Sequence, residues 1–164
     1  MGLPVALRVE APAWRCAFPG APACARRAAR AALHAGGMDS LPAGGVCIVL
    51  ADDSLQRRLN REFRGRDKST NVLSFDGAPG ALGDVVLALE TIAAEAEAQG
   101  KTLAAHVAHL VVHGVLHLMG HDHERPGQAR RMERLEIEIL AGLGIADPYR
   151  ASPPRRRKHG KAGS

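Results

Sequence analysis

The sequence predicts an α+β fold: a single domain with a mixed sheet of about four strands packed against helices, and a central buried helix. Three observations carry this. Short apolar runs rich in β-branched residues alternate with helix-period segments, in the order strand, helix, strand, helix, two strands, three helices. The gap between Phe75 and Gly83 has hairpin length, which points to at least one antiparallel pair. The stretch from Thr102 to about Met119 is apolar nearly all round, the pattern of an enclosed helix.

Each element has a local reason. Leu3–Glu10 alternates apolar and polar residues and reads as the opening strand. Residues 21–35 are rich in Ala and Arg, both good helix formers, and end at Gly36-Gly37. Gly45–Ala51 is a short β-branched run, a buried strand. Asp53-Ser54 is placed to cap a helix running to about Phe63 and stopping near Gly65. Asn71–Phe75 and Gly83–Leu89 are strands, separated by the turn chemistry of Asp76–Leu82. Glu90–Gln99 is an acidic helix closed by Gly100, and Thr102 caps the long helix. Arg125-Pro126-Gly127 opens the last helix, with Pro suited to a first turn. Met132, Leu135, Ile139 and Leu143 form its inward stripe, and Gly144 ends it. Residues 1–150 show no repeat and no dividing linker, whereas 151–164 read as a basic tail without a packed core.

Charge and composition exclude several classes. The 164 residues carry 22 Lys+Arg against 17 Asp+Glu, a net charge of +5. The surplus sits in the tail, which holds Arg155, Arg156, Arg157, Lys158 and Lys161 and no acid, so residues 1–150 are formally neutral. No stretch reaches the ~18 apolar residues of a membrane span. The start lacks the basic and apolar regions of a signal peptide, and Ala6 stands where a myristoylation signal needs Ser or Thr. Cys16, Cys24 and Cys47 have no framework or metal-site spacing and read as free thiols of a reducing cytoplasm. Five aromatic residues are too few for a stacked-ring RNA platform.

Chemistry concentrates in the histidines. Six of the eight fall between positions 106 and 123. On the long helix, His106, His109, His113 and His117 lie within an arc of roughly 80°. His113 and His117 are spaced i,i+4, which lets two imidazoles grip one ion, and His123 can supply a third ligand after a turn at Gly120. Three protein ligands and one open position are what a catalytic zinc needs to acidify a water. The central helix is therefore read as metal-binding. His109 is a candidate to orient a ligand or hydrogen-bond substrate, and His106 is read as a partly exposed polar residue. His121 is a weaker ligand candidate than His123, and Asp122 is an orienter, a general base or a turn residue.

The same grid occurs in the metzincin proteases, H-E-x-x-H-x-x-G-x-x-H, but their general base is replaced here by Gly114, which carries no proton. A peptidase is thereby disfavoured.

The wider sequence resembles another family. His113–His123 (HGVLHLMGHDH) is similar to the H-G-x-L-H-L-x-G-Y-D-H signature of the YbeY family, metal-dependent endoribonucleases that mature ribosomal RNA. Phe63–Asp76 (FRGRDKSTNVLSFD) and Leu82–Ala96 (LGDVVLALETIAAEA) resemble two further blocks of that family, in the same order, and the Asp147-Pro148-Tyr149 ending is also similar. The family usually has Tyr where this chain has His121.

The resemblance implies one Zn2+ per chain on His113, His117 and His123, with Arg64 as a catalytic basic residue. It implies single-stranded RNA as substrate, ribosomal RNA and the small ribosomal subunit as partners, and work in small-subunit RNA 3′-end maturation and ribosome quality control. Arg57–Lys68 supports this from the residues themselves: six basic and two acidic side chains, the densest positive stretch of the neutral body. Arg57, Arg61, Arg66 and Lys68 are candidate RNA contacts, and Arg64 a phosphate clamp. Arg26, Arg27 and Arg30 read as a solvated helix face. The competing reading is a non-catalytic ribosome-assembly module with structural zinc, with His109 or His121 as a fourth ligand.

Overall fold

The computed structural model describes residues 5–38, 45–121 and 125–150. Ten elements follow in order: β1 (Val5–Val9), α1 (Ala13–Ala17), α2 (Ala21–Ala35), β2 (Val46–Ala51), α3 (Asp53–Arg64), β3 (Val72–Asp76), β4 (Gly83–Ala88), α4 (Leu89–Ala98), α5 (Leu103–Leu118) and α6 (Pro126–Gly142). The sheet order is β1-β2-β4-β3. β1 runs parallel to β2, and β2 parallel to β4, in register Val46↔Gly83. β3 closes the far edge antiparallel to β4, with Val72 opposite Leu87 and Asp76 opposite Gly83. The expected mixed four-stranded α+β domain is the one observed.

Strand alternation splits the core between two faces. Val46, Ile48 and Leu50 of β2, with Val85 and Leu87 of β4, join α2, α5 and α6 in the larger core. Ala51, Leu73 and Val86 point to the opposite face, where Leu55 and Leu59 of α3 cover them. Each fully buried Leu, Ile or Val contributes about 1.5–3 kcal/mol. α5 sits at the centre, packed on α2, α4, α6, β3 and β4. That enclosure explains why its sequence is apolar apart from the stripe of histidines.

Two local readings are corrected. α1 was not foreseen: it is one short turn without periodicity, formed where Trp14 is buried and donates Nε1–H to the Ala51 carbonyl at 2.7 Å. The cap of α3 is Asp52, whose Oδ1 accepts from the Leu55 amide at 2.8 Å. Asp53 instead accepts from the Thr91 amide and hydroxyl of α4, while its own amide donates to Glu90. Thr102 caps α5 as expected, accepting from the Ala105 amide at 3.1 Å. The three cysteines are free. Among the described residues no helix is long and apolar enough to cross a membrane.

Candidate active site

The site grows from two helix ends and one strand edge. α3 finishes at Arg64 and closes on Gly65. The buried Asn60 pins the following loop by donating Nδ2–H to the Lys68 carbonyl at 2.9 Å. Arg64 then reaches β3: its Nη2 donates to the Ser74 carbonyl at 2.6 Å, and its guanidinium lies 5.5 Å from the centre of the Phe75 ring. Phe63 packs edge-on against the same ring at 5.6 Å. An arginine has five N–H donors. Among the described residues only the Ser74 bond engages Arg64 as a hydrogen-bond donor.

α5 supplies the opposite wall. His113 and His117 line a small cleft of about 130 Å³ with Arg64, Val72, Leu73 and Ser74. Gly114, between the two histidines, lies against the sheet: a Cβ there would stand 2.7 Å from Val85 Cγ1 and 3.1 Å from Ser74 Oγ. Ser74 Oγ donates to the Gly114 carbonyl at 3.2 Å. The residue that removes the metzincin base is thus also the one that lets the helix sit close to the strands. After His117 the helix ends, and Gly120, at φ +94°, has the positive φ expected of it. Asp122, the candidate orienter or general base, and His123, the candidate third ligand, lie outside the described residues.

Behind the histidines stands a residue missed in the sequence. Glu136 of α6 is fully buried. Its Oε1 meets His113 Nδ1 at 2.7 Å, its Oε2 meets His109 Nε2 at 3.0 Å, and it also accepts from the Tyr149 hydroxyl. Burial alone would raise its pKa, but the hydrogen bonds from His109, His113 and Tyr149 outweigh that and bring it down to about 2. The carboxylate is therefore ionised and accepts only, so His113 carries its proton on Nδ1 and His109 on Nε2. A signal existed: position 136 falls among Met132, Ile139 and Leu140 on the buried stripe of α6, where a carboxylate is out of place.

The remaining candidates scatter. His106 is not partly exposed but buried at 3% exposure, because α4 covers that turn of α5. Its Nε2 lies 3.8 Å from Glu95 Oε1, and burial pushes its pKa down. His121 lines a different cleft, with Arg131, Arg134 and Glu138 of α6. Arg57, Arg61 and Lys68 share a larger groove of about 740 Å³ on the outer side of α3, and Arg66 is not part of its lining. Within that groove Arg57 is paired with Asp67 at 2.8 Å. Arg64 is the one basic candidate that faces the histidine cleft.

Comparison with known proteins agrees with this architecture. The family model described as endoribonuclease YbeY matches residues 23–144. A relative named endoribonuclease YbeY from Paramagnetospirillum magneticum is 52% identical over 158 residues, spanning 88% of this chain and 94% of the relative. Another of that name, from Azorhizobium caulinodans, is 54% identical over 149 residues, spanning 86% and 92%. A solution structure of a Thermotoga maritima protein superposes with a TM-score of 0.57 at 20% identity, covering 94% of this chain and all of that one, a likeness of fold. The chain belongs to the YbeY endoribonuclease family.

Proposed function

We propose that this protein is a single-strand-specific, zinc-dependent endoribonuclease that matures the 3′ end of small-subunit ribosomal RNA and serves ribosome quality control. The observation that carries the reading is the meeting of two imidazoles and one guanidinium in a single cleft, in a member of a family whose relatives are named endoribonucleases. The donor set fits zinc. His113 and His117 are one helical turn apart, and because the Nδ1 of His113 meets Glu136, its Nε2 is the atom assigned to the metal. His123 is the third ligand proposed from the sequence.

A zinc ion so held supplies Lewis-acid polarisation and a water acidified toward neutrality. The chain's own residues do the rest. Arg64 grips the scissile phosphate, and its charge offsets the negative charge that develops at phosphorus. Its backbone and ring contacts hold the guanidinium in place before substrate arrives. Arg57 and Arg61 of α3, with Lys68 in the loop after it, contribute positive charge for the flanking strand. The alternative with a structural zinc is less well supported. Of the two histidines that would complete it, neither lines the cleft of His113 and His117: His109 lines the cleft under the Asp147-Pro148 turn and His121 another against α6.

The test is metal analysis paired with cleavage of single-stranded and duplex RNA, with and without chelator, on wild type and His113→Ala. Wild type should hold one zinc and cut the single strand, and the variant should lose both. Undiminished cleavage by a verified metal-free variant would overturn the reading.

A further inference from the structure

We propose that Glu136 is a positioning residue of the metal centre, held in turn by a clasp formed from the Asp147-Pro148-Tyr149 turn. Together they orient His113 with Nδ1 inward and Nε2 toward the metal. The inference rests on the zinc reading above and assigns it a supporting structure.

A carboxylate with no exposure, on the apolar stripe of a helix, is costly unless its oxygens are occupied. Here both are. Oε1 takes the Nδ1 proton of His113, and Oε2 takes the Nε2 proton of His109 and the hydroxyl of Tyr149. With His113 Nδ1 committed at 2.7 Å, the ring can rotate only by breaking that bond. A carboxylate behind an imidazole also makes its other nitrogen a better ligand.

The clasp is built as deliberately. Asp147 Oδ1 accepts from the Tyr149 amide at 2.8 Å, which bends the chain and aims the ring inward. Lys101, in the loop before α5, donates Nζ–H to the Pro148 carbonyl at 2.6 Å and ties the turn down. The Tyr149 ring stands edge-on to His109 at 5.4 Å and 82°. The end of the domain is thereby fastened to the back of the metal-binding helix. This gives a physical role to the Asp-Pro-Tyr ending, which the catalytic reading leaves unused.

Zinc affinity, measured by competition with a chromophoric chelator, and the visible spectrum of the cobalt-loaded protein test this on full-length wild type, Glu136→Gln, Tyr149→Phe and His113→Ala. A carboxamide offers one acceptor oxygen where two donors from different histidines need two. Glu136→Gln should therefore weaken zinc binding by roughly 10–100-fold and shift the cobalt spectrum. Tyr149→Phe keeps the ring and loses only the hydroxyl. It should fold as wild type, weaken binding by a smaller factor and shift the spectrum in the same direction, so it decides the matter if Glu136→Gln fails to fold. Wild-type affinity and spectrum in both variants, with His113→Ala unable to bind, would overturn the positioning role alone. Wild-type affinity in His113→Ala would instead overturn the zinc reading beneath it.

Discussion

Arg64 stands where a flexible cation is least useful unless something holds it, and two contacts do. The Ser74 carbonyl takes one N–H and the guanidinium carbon lies 5.5 Å from the centre of the Phe75 ring, so the group is held at the histidine cleft at little further entropic cost. Removing the side chain should cost cleavage and nothing else. Arg64→Ala is expected to lower single-turnover cleavage by roughly 10²–10³-fold with zinc content and melting temperature unchanged. Arg64→Lys should recover only part of that, because an ammonium lacks the planar fork. Equal rates for wild type and Arg64→Ala would remove it from the chemistry. At this scale the sequence was informative about side chains with a pattern and silent about those without one. His113 and His117 announced themselves by spacing. Glu136 was passed over because its neighbours on α6, Arg134, Glu133 and Glu138, make one more acid look ordinary. His106 read as polar surface, and only the packing of α4 on α5 buries it.

At the scale of elements, α5 determines the site because it is wedged between sheet and helices. Its approach to β3 and β4 depends on the missing side chain at position 114. A methyl group there meets Val85 and Ser74 at distances that force one of them to move. Gly114→Ala gains up to ~1 kcal/mol of helix propensity. Overpacking of a closed core usually costs about 1–3 kcal/mol. The variant should therefore melt lower than wild type and cut RNA more slowly, since the same contact sets the distance between the histidines and Arg64. A raised melting temperature in Gly114→Ala would show that the sheet yields more easily than the distances imply. α3 illustrates the complementary case. The basic residues of α3 and the loop after it were one dense run in the sequence, yet the fold divides them: Arg57, Arg61 and Lys68 line one groove and Arg64 another.

Over the whole molecule, the net charge of +5 belongs to residues 151–164, outside the described residues, while 1–150 balance. If these five cations contact RNA, they would do so chiefly through counterion release, which is independent of sequence and falls with salt; the alternative is a solubilising appendage. Deleting 151–164 should flatten the salt dependence of RNA binding and leave the cleavage rate at saturating RNA unchanged. Loss of cleavage on deletion would place the tail in the catalytic machinery. The four strands, the five longer helices, the cap at Thr102, the positive-φ glycine at 120 and the i,i+4 spacing of His113 and His117 were legible in the sequence alone, because each depends on residues within a turn or two of one another. What only the tertiary structure decided is which distant groups meet: Arg64 with His113 and His117, Glu136 with His109, His113 and Tyr149, and Lys101 with Pro148. Local spacing follows from the period of a helix, whereas these encounters follow from how α5 is packed among its neighbours, and no periodicity in the chain encodes that.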